Sequence, residues 1–143
     1  MKMRTLAPLT VVAAAFAFAL AGCTVTGPTE NFSGLPDEEQ IVNESEGAAD
    51  SGIQAFWLHE GSQIAVSISG SSGCPVIGSD IKVVEPKNEG NTVEIVTVPI
   101  PQDKICTMDF VPHTSVFWTP ANVSTTQELT VRVEGQELTL PVK

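Results

Sequence analysis

Basic residues, histidines and long apolar runs are all scarce in this sequence, and each scarcity excludes something. Lys and Arg number 7 against 17 Asp and Glu, a formal charge of -10. Such a chain is repelled by phosphate backbones and by anionic headgroups, so no nucleic-acid partner is expected. His59 and His113 are the only histidines. With so few nitrogen and sulfur ligands no metal site is expected, and no motif calls for a cofactor. Either histidine could act with Glu60 or Asp109, but nothing in the spacing brings them together, and acid–base chemistry requires geometry before pKa. Exposed histidines at strand ends are the plainer reading. Ser71 and Ser72 sit in a glycine-rich loop without the nucleophile-elbow pattern. Residues 70–73 are too few to cradle a phosphate, and neither a Lys nor a helix follows. No catalytic residue is expected, and the reading is non-enzymatic.

The longest apolar run, residues 11–21, spans about 16 Å as a helix. That is short of the ~30 Å hydrocarbon core of a bilayer. Lys2 and Arg4 precede it and small residues close it, which is the layout of an export signal. The two basic residues are not adjacent, so the general secretion route is favoured over a twin-arginine route.

The run ends in Leu20-Ala21-Gly22-Cys23. This resembles the lipobox of bacterial lipoproteins: Leu, two small residues, then Cys. The resemblance implies a diacylglyceryl group on Cys23 and cleavage after Gly22. It implies a protein held by lipid on the extracytoplasmic face of the bacterial cell membrane. A thiolate is the most available soft nucleophile for that alkylation. Two acyl chains hold a protein stably where one does so only marginally. The mature chain would have 5 basic and 17 acidic residues, a charge of -12.

Three regions follow: 1–22 as signal peptide, 23–50 as a lipid-anchored tether and 51–143 as the folded domain. Between residues 24 and 50 there are seven acids and no base, with Gly27, Pro28, Gly34, Pro36 and Gly47 interspersed. Low hydrophobicity with charge of one sign predicts disorder. One helical turn over residues 36–42 is the exception considered, with acids at its N-terminus.

From Ile53 onward the apolar period is two, the strand signature. Strands are expected over 53–59, 63–69, 80–85, 92–98, 104–110, 114–119, 128–133 and 137–142. The 92–98 strand, apolar on both faces, is expected to be central. Glu134-Gly135 reads as a tight hairpin turn, and Pro141 marks the last strand as an edge. The whole reads as a small antiparallel β-sandwich of seven or eight strands, with an immunoglobulin-like topology one possibility. With Cys23 assigned to lipid, Cys74 and Cys106 allow one intramolecular disulfide in an exported protein. Two free thiols or a metal pair are the alternatives.

A second resemblance covers about residues 53–135. Ala55-Phe56-Trp57-Leu58, Ile64-Ala65-Val66, Gly70-Ser71-Ser72-Gly73-Cys74-Pro75 and Cys106-Thr107-Met108-Asp109-Phe110-Val111-Pro112 occur together. They look like a set of small secreted or lipid-anchored actinobacterial proteins without an assigned function. The paired Ser-Ser-x-Cys-Pro and Cys-Thr-x-Asp segments are the most specific part. Gly73 and His113 depart from the pattern. The resemblance implies one domain with one disulfide and no activity.

Trp57, Phe117 and Trp118 are the candidate binding surface. Phe117 and Trp118 are neighbours in one strand, so one faces in and the other out. For Trp57, a place in the core is favoured over a place on the surface. The expected role is a binding module that presents the sandwich to an envelope protein or glycan, with the membrane itself reached through Cys23. The alternative is a small-molecule or metal-binding accessory of a transporter or sensor, marked by an apolar pocket with converging polar groups. A hydrolase ranks third and needs a histidine beside a Ser or Asp.

Overall fold

The computed structural model describes residues 24–46 and 49–143. The expected signal peptide and Cys23 lie outside the described residues. Among those described are nine strands in two sheets and three short 3₁₀ turns. The strands are β1 (Glu30–Ser33), β2 (Ile41–Glu44), β3 (Ile53–Leu58), β4 (Gln63–Gly70), β5 (Gly78–Glu85), β6 (Thr92–Thr97), β7 (Val111–Trp118), β8 (Leu129–Val133) and β9 (Gln136–Leu140). One sheet has the order β1-β7-β4-β3-β2 and the other β5-β6-β8-β9. The fold is the expected all-β sandwich-like arrangement with one disulfide.

The period-two positions build the core. Ile53, Ala55, Trp57, Ile64, Val66, Ile68 and Phe117 from the first sheet meet Ile81, Val93, Ile95, Leu129, Val131, Val133, Leu138 and Leu140 from the second. Burying Trp57 requires a partner for its indole N–H; Nε1 donates to the Pro141 carbonyl at 3.0 Å. The β8–β9 hairpin turns at Glu134 and Gly135, both with positive φ (48° and 73°), the backbone that a right-twisted two-residue turn demands. β9 is an edge strand and β6 an interior one. The second sheet is not purely antiparallel, because β6 pairs with β8 in parallel.

The second sheet turns a polar face to water. Lys82, Glu94, Arg132 and Glu137 occupy one register row across its four strands, so unlike charges stand side by side. The outer face of the first sheet is different. Phe56, Leu58, Ala65 and Val116 are buried there, with Phe32 of β1 and Ile41 of β2 packed on them. β1 and β2 lie at opposite edges of this sheet, about 19 Å apart at ordinary strand spacing. Residues 34–40 span that distance, with Pro36 buried beneath them. The Thr114 hydroxyl donates to the Gly34 carbonyl at 2.6 Å.

This corrects the expected tether over residues 23–50. Residues 24–46 are part of the sandwich, because β1 and β2 supply both edges of the first sheet and their connection covers its outer core. Ladder bonds and burial of Phe32 and Ile41 offset the ordering cost that composition alone does not meet. The expected helical turn survives as a 3₁₀ turn at Glu38–Gln40. A second correction concerns residues 104–110, which are a loop and not a strand. The next strand begins earlier than expected, at Val111, and runs through Pro112, whose carbonyl accepts from the Gly34 N–H at 2.9 Å.

Candidate functional site

Chain crossings between the two sheets place two loops at one end of the sandwich. Residues 71–77 lead from β4 to β5, and residues 98–110 lead from β6 to β7. β4 ends at Gly70 in register with Val111, the first residue of β7. Both loops therefore leave the first sheet side by side.

Cys74 and Cys106 join them, with Cα atoms 5.3 Å apart. Polar side chains complete the clamp. Thr107 Oγ1 accepts from the Gly73 N–H at 2.9 Å and shares hydrogen bonds with the Ser71 and Ser72 hydroxyls at 2.8 and 3.2 Å. It donates to Asp109 Oδ1 at 2.5 Å, and that oxygen also accepts from the Ser72 N–H at 2.9 Å. The Ser72 hydroxyl, then the Thr107 hydroxyl and the Ser72 N–H, hold the Asp109 carboxyl down at about 2. Asp109 is thus a fixed acceptor that ties two loops together. The Ser-Ser-x-Cys-Pro and Cys-Thr-x-Asp segments are the two halves of this clamp.

What the clamp presents is apolar. Ile105 is 94 % exposed, Met108 is fully exposed and Phe110 is 69 % exposed. Ordinary surfaces carry single exposed apolar residues; here three are concentrated on one short fixed loop. Phe110 lies against the backbone of Gly52, where a Cβ would stand 2.5 Å from the ring. Gly52 also has φ +71°, so two independent constraints favour glycine there.

The predicted aromatic surface is redistributed. Trp57 and Phe117 are fully buried, which removes both from any surface and corrects their nomination. Trp118 points out, 51 % exposed, as the alternation within β7 requires. It lies at the end of β7 away from the clamp, about 24 Å along the strand from Val111. β1 pairs with β7 only from His113 to Val116, so Phe117 and Trp118 have no strand beside them on that edge. A groove of about 720 Å³ opens there, lined mainly by Val25, Ile81, Val83, Trp118, Pro120 and Ala121. Its lip is the chain's own residues 24–26, held by a 2.9 Å bond from the Ile81 N–H to the Thr26 carbonyl. Asn91 supports the far wall. Its buried amide donates to the Ser124 and Glu128 carbonyls at 2.9 and 3.0 Å, and its Oδ1 accepts from the Ser124 N–H at 2.9 Å.

The histidines stay apart. His59 follows β3 at the Trp118 end, whereas His113 pairs in register with Ile68 and Ser33 near the clamp. Burial lowers the His113 pKa below 6.5, and its Nε2 is buried without a hydrogen-bond partner. Among the described residues, no three His, Cys, Asp or Glu side chains converge as metal ligands would.

Sequence reasoning singled out Cys74, Cys106 and the two segments around them, but not the loop's apolar display. It also missed Asn91 and the groove lip. Comparisons with protein-family models, with curated proteins and with solved structures find no match to this chain.

Proposed function

We propose that this chain is an extracytoplasmic lipoprotein, held to the bacterial cell membrane by a diacylglyceryl group on Cys23. It acts without catalysis, as a binding module for another protein of the cell envelope. The observation that carries the reading is the clamped loop. Ile105, Met108 and Phe110 are exposed on a backbone fixed by a disulfide and by Asp109, so little ordering cost attends docking. Aliphatic and thioether groups offer a glycan few hydrogen bonds but fit an apolar cleft on a protein. The loop lies at the opposite end of β7 from residues 24–26. A chain anchored through Cys23 therefore offers it away from the membrane.

The test is site-specific photo-crosslinking from position 103, an exposed position on the same loop, in intact cells. An envelope protein captured by the wild-type loop and lost in Ile105→Ser/Met108→Ser, with the melting temperature unchanged, is the expected result. Capture that is equally strong in the double variant would place the partner surface elsewhere.

The groove beside Trp118 gives a second reading some support. It is the concave apolar feature that a small-molecule accessory would need, and about 720 Å³ falls within the usual ~300–1,000 Å³ of ligand sites. Its exposed lining is mostly apolar, with Thr24, Thr26, Lys82, Thr119 and Asn122 as its polar members, which favours a ligand with a long apolar part.

A further inference from the structure

The groove and the proposed anchor are adjacent in the chain. Residues 24–26 form its lip, and Cys23 directly precedes Thr24 in the chain. Any acyl chain carried by Cys23 therefore starts one cysteine side chain and one glycerol away from the lip of an apolar trough. We propose that the groove shelters one of the two acyl chains on Cys23. The inference rests on the lipoprotein reading and adds to it a resident ligand and a consequence for anchoring.

Three observations favour this occupant over others. The surface is concave, and a bilayer contact would be served by a protruding apolar patch. The mature chain has 5 basic against 17 acidic residues, so an anionic membrane repels the domain instead of drawing it down. Covalent attachment makes filling the groove an intramolecular event, at an effective concentration no free lipid in the surroundings reaches. Ile81 forms a buried floor and Val83 a partly buried one. Trp118, Pro120 and Ala121 form the wall, with Val25 on the lip.

The consequence is a graded anchor. With both chains in the bilayer the protein is held stably; with one in the groove the other holds it only marginally. Sheltering a chain would convert a permanent attachment into a releasable one.

The experiment uses the full chain, lipidated in a host that processes lipoproteins and reconstituted into phosphatidylcholine vesicles. Mass spectrometry reads the modification at Cys23. Trp118 is then probed with acrylamide and with brominated phosphatidylcholine; Trp57 is buried and contributes a constant background. The expected result is acrylamide quenching severalfold weaker than after alkaline release of the ester-linked chains, with brominated host lipid leaving Trp118 emission unchanged. Ala121→Glu, at an exposed position, should restore quenching with the lipid mass unaltered and should slow release from the vesicles. Three outcomes overturn the inference alone. Equal quenching before and after chain release, with the lipid present by mass, removes the sheltered chain but leaves the lipoprotein reading intact. Strong quenching by brominated host lipid shows that Trp118 meets the bilayer. Protection of the delipidated protein by added palmitate, without protection by the attached chains, shows a site for free lipid. If Cys23 carries no lipid, the inference and the reading fall together.

Discussion

The two ends of β7 carry apolar surface of opposite kinds. At Val111 the neighbouring loop is convex and displays Ile105 and Met108 to solvent. At Trp118 the surface is concave and lined by apolar residues from three separate segments. The convex end is held by one covalent bond and a cluster of side-chain hydrogen bonds. The concave end is held by backbone contacts, by buried Asn91 and by the Thr119 hydroxyl, which donates to the Gly61 carbonyl at 2.8 Å. A protruding loop has no core beneath it and needs local cross-links to keep its shape. A groove is the space between packed elements and keeps its shape if those elements stay put. The two ends should therefore fail independently.

The largest expected effect breaks the convex end. Replacing both cysteines, Cys74→Ser with Cys106→Ser, should cost about 3 to 4 kcal/mol for a loop of this length in the chain-entropy model. Hydrogen exchange should accelerate at residues 71–74 and 105–109 while residues 119–124 keep their protection. A uniform rise in exchange would mean that the clamp supports the whole sandwich and that the ends are coupled. Next in size is Asn91→Ala at the concave end. It leaves the Ser124 N–H and two carbonyls without their buried partner, a loss of about 2 to 3 kcal/mol. Exchange should rise at residues 119–128, and Trp118 emission should shift, with the clamp loops unchanged.

The sequence made one end more legible than the other, for physical reasons. The clamp was half visible, because Cys74 and Cys106 were the two cysteines left to pair and the segments around them stood out. Its apolar display was hidden by its own periodicity: Cys106, Met108 and Phe110 alternate with Thr107 and Asp109, as strand residues do. In the fold Thr107 and Asp109 bond laterally to Ser72 and Gly73, so the segment is bound by side chains and forms no ladder. Strand alternation required one of Phe117 and Trp118 inside and the other outside without saying which; the fold buries Phe117 and exposes Trp118. The groove was illegible because its lip comes from residues 24–26, in a stretch whose acids and glycines read as disordered. β1 and β2 are only four residues each, too short to show a period. Their partners are far along the chain, as with Thr29 and Val116 across 87 positions. The parallel pairing of β6 with β8 also leaves no local trace.

The smallest expected effect separates two titrating groups near the convex end. The Asp109 pKa is lowered from 3.8 to about 2. Its contribution to stability is complete above the unfolded value and is lost as pH falls from 3.8 through about 2. Asp109→Asn removes a titrating group, so the variant should lose less melting temperature than the wild type across that acid window. His113 works the same way at higher pH. Burial disfavours its charged form, and its in-register neighbours Ile68 and Ser33 carry no charge to offset that. The unfolded chain begins to take up the proton near about pH 6.5, while the folded chain resists it. Stability conferred by the neutral ring is therefore present above about pH 6.5 and declines as pH falls toward the lower folded value. His113→Gln should flatten the fall in melting temperature as pH drops below about 6.5 and leave the Asp109 window untouched. A variant as steep as the wild type in that upper window would show that the ring reaches water when protonated, and that the strand leading out of the clamp is looser than the clamp itself.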